Sequence, residues 1–256
     1  MYWVKVMNKW TVEELTLALA LYCQLPFGKM HSRNQDIIRL AVKIGRTPSA
    51  VAMKLVNFAS LDPEIVNSGR RGLGNASALD RQVWEKFQNN WDGEISSVAD
   101  QLVTVAEVKA EELEEDLPLP VDTTRKAEVE VRKKQHIFRR MILSSYVSVC
   151  CMSGLTEPRL LVASHIMPWN RSNENRLNPR NGLCLSVLHD KAYDRGLLTV
   201  LPDYSIAVSS EISKLRDDKF IQETLISYHG KQITMPEKFH PDPYFLTWHN
   251  VNIFKT

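Results

Sequence analysis

The strongest constraint on the fold is an ordered run of short segments between residues 160 and 196. Residues 160–163 and 182–188 are apolar runs of the kind that form strands, and a polar loop rich in Asn, Arg and Pro separates them. A short helix is expected at 189–195, where Gly196 is placed to end it. The sequence therefore predicts the order strand, long polar loop, strand and short helix.

Side chains capable of acid–base and metal chemistry stand at the junctions of this run. His165 closes the first strand and Asn181 opens the second. The helix that follows carries His189, Asp190 and Asp194. The two aspartates share one helix face at positions i and i+4, where like charges without a partner destabilise a helix by a few tenths of a kcal/mol. A bound cation would reverse that penalty, and two carboxylates with several retained waters suit Mg²⁺ or Mn²⁺.

Three separated blocks extend the pattern: ASHIMPW at 163–169, RLNPRNGLCL at 176–185 and HDKAYDRG at 189–196. In order and spacing they resemble the His-Asn-His (HNH, ββα-metal) endonuclease superfamily, and within it the bacterial restriction-type branch. The resemblance covers residues 135–200. It implies a metal-dependent DNA endonuclease, a phosphodiester hydrolase of restriction or phage defence. Double-stranded DNA would be its partner, and a homodimer would explain cutting of both strands.

The same resemblance implies roles for the junction residues. His165 would be the general base that takes a proton from water, and an unperturbed pKa of about 6.5 suits that task at neutral pH. Asn181 would orient the loop that carries His165. The ion, Mg²⁺ or Mn²⁺, would neutralise a phosphate oxygen and the departing 3′-oxygen, which leaves a 5′-phosphate on the product.

Two departures from the family pattern affect the metal ligands. Ser164 stands where many relatives have Asp or His, so it is predicted as a weak third ligand beside Asp190 and Asp194. His189 lies one residue before the expected ligand position, and it is predicted to assist catalysis beside the ligands or to replace one of them. The two CxxC pairs with which many relatives bind a structural zinc do not occur in this sequence, so Cys151 and Cys184 are expected to be small buried residues.

Residues 10–61 predict a small unit of three helices. Thr11 and Glu14 form a capping pair before the first helix, and Thr47 caps the third. A helix, a glycine-containing turn and a further helix resemble a helix-turn-helix motif. A unit that only packs against its neighbours fits the same pattern equally well.

Candidate nucleic-acid contacts come from three places. If the helical unit reads DNA, its third helix would offer Ser49, Met53 and Lys54 to a groove, and Arg46 would bind a phosphate. Arg139 and Arg140 lie on a helix predicted before the first strand, either as phosphate contacts or as part of a solvated face. The loop between the two strands supplies the remaining candidates, which are Arg171, Arg176 and Arg180.

The pattern divides the chain into a helix-turn-helix-like domain at 1–65, a helical linker region at 66–124 and a nuclease domain at 125–256. Gly, Ser and Arg are concentrated at 68–77, which favours a flexible connection there. Strands and loops are expected in the aromatic tail beyond residue 200. The predicted fold class is α+β, with a helical N-terminal domain followed by a C-terminal ββα-metal nuclease domain.

Composition restricts the class of protein without naming it. The formal net charge of +2 is too small to indicate a nucleic-acid binder by itself. No membrane span, signal peptide or CxxC pair is apparent, so a cytoplasmic protein with no membrane partner is expected. Two alternatives stay open: a non-catalytic DNA-binding regulator with a degenerate nuclease fold, and an RNA-cleaving toxin.

Overall fold

The structure, a computed structural model, describes residues 9–70, 72–106 and 125–256. Its N-terminal part consists of the helices α1 (Val12–Cys23), α2 (Gln35–Lys43), α3 (Pro48–Ala59), α4 (Pro63–Asn67), α5 (Ala78–Asn89) and α6 (Trp91–Ala106). The predicted capping pair is confirmed, because the Thr11 hydroxyl accepts from the Glu14 amide at 3.2 Å and the Glu14 carboxylate accepts from the Thr11 amide at 2.9 Å. Thr47 caps α3 as expected.

Helix α1 is the centre of this part. Every side chain at 15–23 is buried, as expected of a helix that is apolar on all faces. Helices α2, α3, α5 and α6 all contact it. Helix α3, the predicted reading helix, is itself largely buried, and its exposed side chains are Ser49 and Met53. Of the three side chains predicted to face a groove, Ser49 and Met53 are therefore exposed and Lys54 is buried.

The predicted run of strand, loop, strand and helix is present. After α7 (Arg125–Ser145) come β1 (Leu161–His165), β2 (Gly182–Ser186) and α8 (Val187–Asp194). The two strands pair antiparallel, with His165 opposite Gly182, and both α7 and α8 pack against them. Helix α8 begins earlier than predicted because the Ser186 hydroxyl caps it by accepting from the His189 amide.

The tail beyond residue 200 differs from the prediction of strands and loops. It pairs only the short strands β3 (Leu198–Val200) and β4 (Ile206–Val208), and then forms α9 (Ser210–Ser213), α10 (Lys219–Thr224) and α11 (Pro243–Asn252). The prediction was wrong for α11, where Asp242 is the N-cap and Pro243 occupies the first turn. These start signals outweigh the β-type composition of the aromatic residues that follow.

The helical part and the part that contains the strands share a core. Buried apolar residues form one cluster that runs from Leu15 in α1 to Leu246 in α11. The end of the predicted linker region, with the acidic run at 107–116, lies outside the described residues. None of the helices in the described ranges is both long and apolar enough to cross a membrane.

Candidate functional site

His165 lies at the end of β1 with its ring held on two sides. The ring stacks on Phe138 of α7, with centroids 3.7 Å apart and planes 12° apart, and meets Trp169 edge-on at 5.4 Å. Its Nε2 lies 2.9 Å from the carbonyl oxygen of Arg176. Since a carbonyl can only accept, Nε2 carries the hydrogen and Nδ1 keeps a lone pair.

The electrostatic surroundings keep this imidazole neutral. Burial lowers the pKa of His165 to about 4. The hydrogen bond to the Arg176 carbonyl raises this pKa, and the positive charge of Arg176 lowers it. The ring is therefore uncharged at neutral pH. The unperturbed pKa of about 6.5 expected from the sequence is therefore wrong, and burial makes the ring a weaker base. A neutral imidazole with a defined tautomer can accept a proton at Nδ1.

Asn181 is buried and fixes the segment that follows His165. Its Oδ1 accepts from the Met167 amide at 2.8 Å, while its Nδ2 donates to the carbonyls of Met167 at 3.1 Å and Asn175 at 3.2 Å. Its own carbonyl accepts from the Ile166 amide at 3.0 Å. One side chain therefore joins the end of β1, the middle of the loop and the start of β2.

The two aspartates of α8 form an acidic site beside β1. Loss of solvent raises the pKa of both carboxyls, and the charge of Asp190 helps raise that of Asp194 to about 6. The hydroxyl of Ser164 is buried close to Asp190, outside hydrogen-bonding geometry, and lacks a hydrogen-bond partner among the described residues. Two mutually repelling carboxylates and an unpartnered hydroxyl are oxygen donors of the kind that a hard divalent cation binds.

This donor set is small. Among the described residues, no three His, Cys, Asp or Glu side chains converge as a metal site. Asp190, Asp194 and Ser164 fit an ion such as Mg²⁺, which keeps several waters and takes one or two protein carboxylates. They do not fit zinc, which usually takes nitrogen or sulfur ligands.

His189 is turned into the core. Its Nε2 donates to the Thr224 carbonyl at 2.9 Å, and its Nδ1 lies 2.8 Å from the Ser186 hydroxyl and 3.8 Å from the Cys150 sulfur. Its ring also meets Tyr228 edge-on. Both ring nitrogens are satisfied by protein groups, so in this arrangement neither is left for the metal ligand that the sequence suggested.

The two basic residues predicted to make the helical unit a DNA reader bind protein groups instead. The Arg46 guanidinium makes two hydrogen bonds to the Glu14 carboxylate, at 2.8 and 3.0 Å. The Lys54 ammonium lies 2.9 and 3.0 Å from the oxygens of Asp80, whose side chain is completely buried. Both charges hold the helical unit together in this structure.

Three other predicted phosphate contacts are likewise engaged. Arg139 donates to the carbonyls of Leu161 and Pro158, at 2.6 and 3.0 Å. Arg140 pairs with Asp36 of α2 at 2.6 Å. Arg180 pairs with Glu64 of α4 at 2.7 Å. Each of these arginines joins segments of the protein that are distant in sequence.

The loop and α8 keep the cations that face outward. Arg171 is exposed. Arg176 is half-buried, with its guanidinium over the Trp169 ring and its Nε donating to the Trp169 carbonyl at 3.0 Å. Sequence reasoning missed Lys191, which is exposed on α8. Its charge partly offsets the rise in the pKa of both aspartates. Its position between Asp190 and Asp194 in the sequence could have indicated it.

Two antiparallel strands and a short helix, set around a neutral histidine and a pair of aspartates, form a ββα site. Residues 150–201 match the model of a family described as HNH endonuclease. The match covers β1, β2, α8 and β3, and it supports the HNH superfamily for this segment. No curated protein matches the chain significantly.

Proposed function

We propose that the protein is a metal-dependent DNA endonuclease with His165 as its general base. The observation that carries the proposal is the state of that ring: it is neutral, its Nε2–H is fixed on the Arg176 carbonyl, and its Nδ1 keeps a lone pair. Helix α8, which carries the acidic pair, packs against the strand that His165 closes. The HNH endonuclease match over this segment supports the same reaction class.

In this proposal each residue has a defined task. His165 Nδ1 takes the proton from the water that attacks the phosphodiester, and the Arg176 carbonyl then stabilises the imidazolium through its hydrogen bond from Nε2. Asn181 holds Met167 and so fixes the backbone next to the base. Asp190, Asp194 and Ser164 would hold Mg²⁺ or Mn²⁺, which when bound supplies charge neutralisation at the phosphate and at the departing 3′-oxygen.

The proposed substrate contacts follow the outward-facing cations. Arg171, Arg176 and Lys191 would bind phosphates beside the site, whereas we assign structural tasks to Arg46, Lys54, Arg139, Arg140 and Arg180. We assign His189 a task in fixing α8 through its bond to Thr224. One centre attacks one strand, so cutting of both strands by a restriction or defence enzyme would require a homodimer or two successive nicks.

The first test is cleavage of supercoiled plasmid by the wild-type protein and by His165→Ala, each with Mg²⁺, Mn²⁺ or EDTA, on methylated and unmethylated DNA. Wild type is expected to nick or linearise the plasmid only with a metal ion, and loss of the base is expected to slow cleavage by about 10² to 10⁴-fold. His31→Ala, which removes an exposed histidine, is the matched control.

Three outcomes would contradict the proposal in whole or in part. Equal cleavage by wild type and His165→Ala would exclude His165 as the base. DNA binding without cleavage under any condition would favour the non-catalytic regulator, for which Ser164 at a ligand position is the supporting observation. Faster cleavage of an RNA competitor than of duplex DNA would change the substrate class and keep the site.

A further inference from the structure

Glu64 connects the helical part of the protein to the turn that bears Asn181. It lies on α4, and its side chain is only 10% exposed. Its Oε1 accepts from the Arg180 guanidinium at 2.7 Å, a contact between residues 116 positions apart in the sequence. The same Arg180 nitrogen, Nη1, also donates to the His240 carbonyl at 3.4 Å. The charge of Arg180 is thus directed inward, to Glu64.

Arg180 is held at its backbone as well as at its side chain. Its amide donates to the Asn178 side chain at 3.0 Å, and its carbonyl accepts from the Asp242 amide at 3.0 Å. The next residue is Asn181, which holds Met167 and Ile166 just after His165. A continuous chain of bonds therefore runs from Glu64 through Arg180 and Asn181 to the segment beside the general base.

A buried polar group fixes Glu64 itself. Asp62 is completely buried and accepts from the Tyr22 hydroxyl at 2.6 Å. Burial and the adjacent Glu64 raise the pKa of Asp62 to about 7, while Arg180 and Asp62 lower that of Glu64. The other Asp62 oxygen accepts from the Glu64 amide at 3.1 Å, so Asp62 caps α4 and holds the backbone of Glu64 in place. Glu64 is thus held at its backbone by Asp62 and at its side chain by Arg180.

An ion pair of this kind contributes little net stability. Removing two charges from water costs about as much free energy as their attraction returns, so a buried pair is weak evidence for stability. Its effect is geometric, because the planar guanidinium and the carboxylate fix one another in direction. The ion pair of Glu64 and Arg180 therefore fixes the position of the turn Pro179–Asn181.

From these contacts we infer that Glu64 is a positioning residue of the proposed nuclease, acting through Arg180 and Asn181 on the segment that holds His165. The inference rests on the proposed function. Helix α4 of the helical part would thus contribute to the reaction although α4 touches no substrate. The inference also explains why Arg180, in a loop of candidate phosphate contacts, is turned away from solvent.

The test compares Glu64→Gln, Arg180→Gln and the double variant with wild type in plasmid cleavage. Displacement of the base segment is expected to lower kcat by about ten- to a hundredfold with little change in KM for DNA. Because the two residues act in series, the double variant should lose no more than the worse single variant. Glu237→Gln, which breaks the Arg70–Glu237 pair elsewhere between distant segments, is the matched control and should retain wild-type kcat.

Hydrogen exchange at the Met167 amide provides a readout that needs no activity. This amide donates to Asn181, so Glu64→Gln should accelerate its exchange, whereas Glu237→Gln should not. Unchanged exchange and unchanged kcat would overturn the inference, as would additive losses in the double variant. If Glu64→Gln does not fold, the exchange rate and kcat of Arg180→Gln alone test the inference. A wild type that never cleaves refutes the proposed function, and the exchange measurement then still decides whether Glu64 fixes the segment.

Discussion

Gly182 faces His165 across the two strands, and the space for its missing side chain is already filled. A Cβ at this position would lie 2.4 Å from the Ile142 Cδ1 and 2.8 Å from the Phe138 ring. Phe138 is the ring on which His165 stacks. At the scale of single residues, the position of the base therefore depends on the absence of one methyl group.

Gly182→Ala is expected to displace Phe138 and with it the His165 ring. Overpacking of this kind costs about 1–3 kcal/mol of unfolding free energy, and the shift of the base should lower the rate of plasmid nicking more than the loss of folded protein explains. Urea denaturation and nicking rates on the same preparation measure both effects. Gly28→Ala is the control, since a Cβ there meets nothing within 4 Å. A normal nicking rate in Gly182→Ala would show that the stack on Phe138 does not set the base.

The candidate site residues differ in how far the sequence alone could predict them. His165, Asn181, Asp190 and Asp194 stand at fixed offsets within one short segment, so local order was enough to select them as candidates. The direction of the His189 side chain depends on Thr224, which comes from α10. The pairing of Glu64 with Arg180 joins distant segments and has no local signal. Contacts made only in the folded chain account for what was missed.

Among the helices and strands, α8 is destabilised by the same two aspartates that we propose as metal ligands. Its two aspartates repel one another, and loss of solvent raises the pKa of both. For a carboxyl with a raised pKa, the stabilising effect of protonation is complete below the unfolded pKa of about 4 and is lost as pH rises through the folded value. In the absence of metal, this helix should therefore be strained most at neutral pH.

Asp194→Asn is expected to unfold at a higher temperature than wild type in EDTA at pH 7, by an amount corresponding to a few tenths of a kcal/mol. The advantage should disappear as pH falls from about 6 to 4, because the wild-type carboxyl takes up a proton over that range. Addition of Mg²⁺ should stabilise wild type and not the variant. Thermal unfolding at each pH, with Asp217→Asn as an exposed control, measures this. Equal Mg²⁺ stabilisation of both proteins would exclude Asp194 as a ligand.

Elements were predictable where start signals and periodicity agreed. The caps at Thr11 and Thr47 placed α1 and α3 correctly, and the change from apolar run to polar loop placed β1 and β2. Aromatic residues in the tail suggested strands, but the Asp242–Pro243 start signal prevailed and α11 formed. The intrinsic preference of aromatic residues for strands is weak, and packing against a core overrides it.

At the scale of the whole molecule, Lys238 joins the two parts of the chain. Its side chain is fully buried, and its ammonium donates to the carbonyls of Tyr22 and Leu25, at 2.6 and 2.8 Å, where α1 ends. It also lies over the Tyr22 ring. A cation at the C-terminal end of a helix completes the unpaired carbonyls and favours the helix dipole.

Lys238→Met keeps most of the side-chain volume and removes the donor. The Leu25 carbonyl would lose its donor, while the Tyr22 carbonyl would keep its bond from the Leu25 amide, so the variant should lose about 1–3 kcal/mol of unfolding free energy. Because one core spans both parts, the loss should appear in a single urea transition seen alike by far-UV circular dichroism and by tryptophan fluorescence. Lys219→Met, in an exposed pair with Glu223, should change little. Two separated transitions in wild type would show that the parts fold independently.

The position of Lys238 in the chain also bears on how the protein is made. A ribosome delivers α1 long before it delivers the lysine that completes it, since the bonded residues Tyr22 and Lys238 stand 216 positions apart. At about 5–20 residues per second, the nascent helical part waits through most of translation for its last partner. A chain interrupted before residue 238 would contain every residue of the proposed active site and lack this lysine. Such a fragment would carry the proposed nuclease site without the support that stabilises the finished protein.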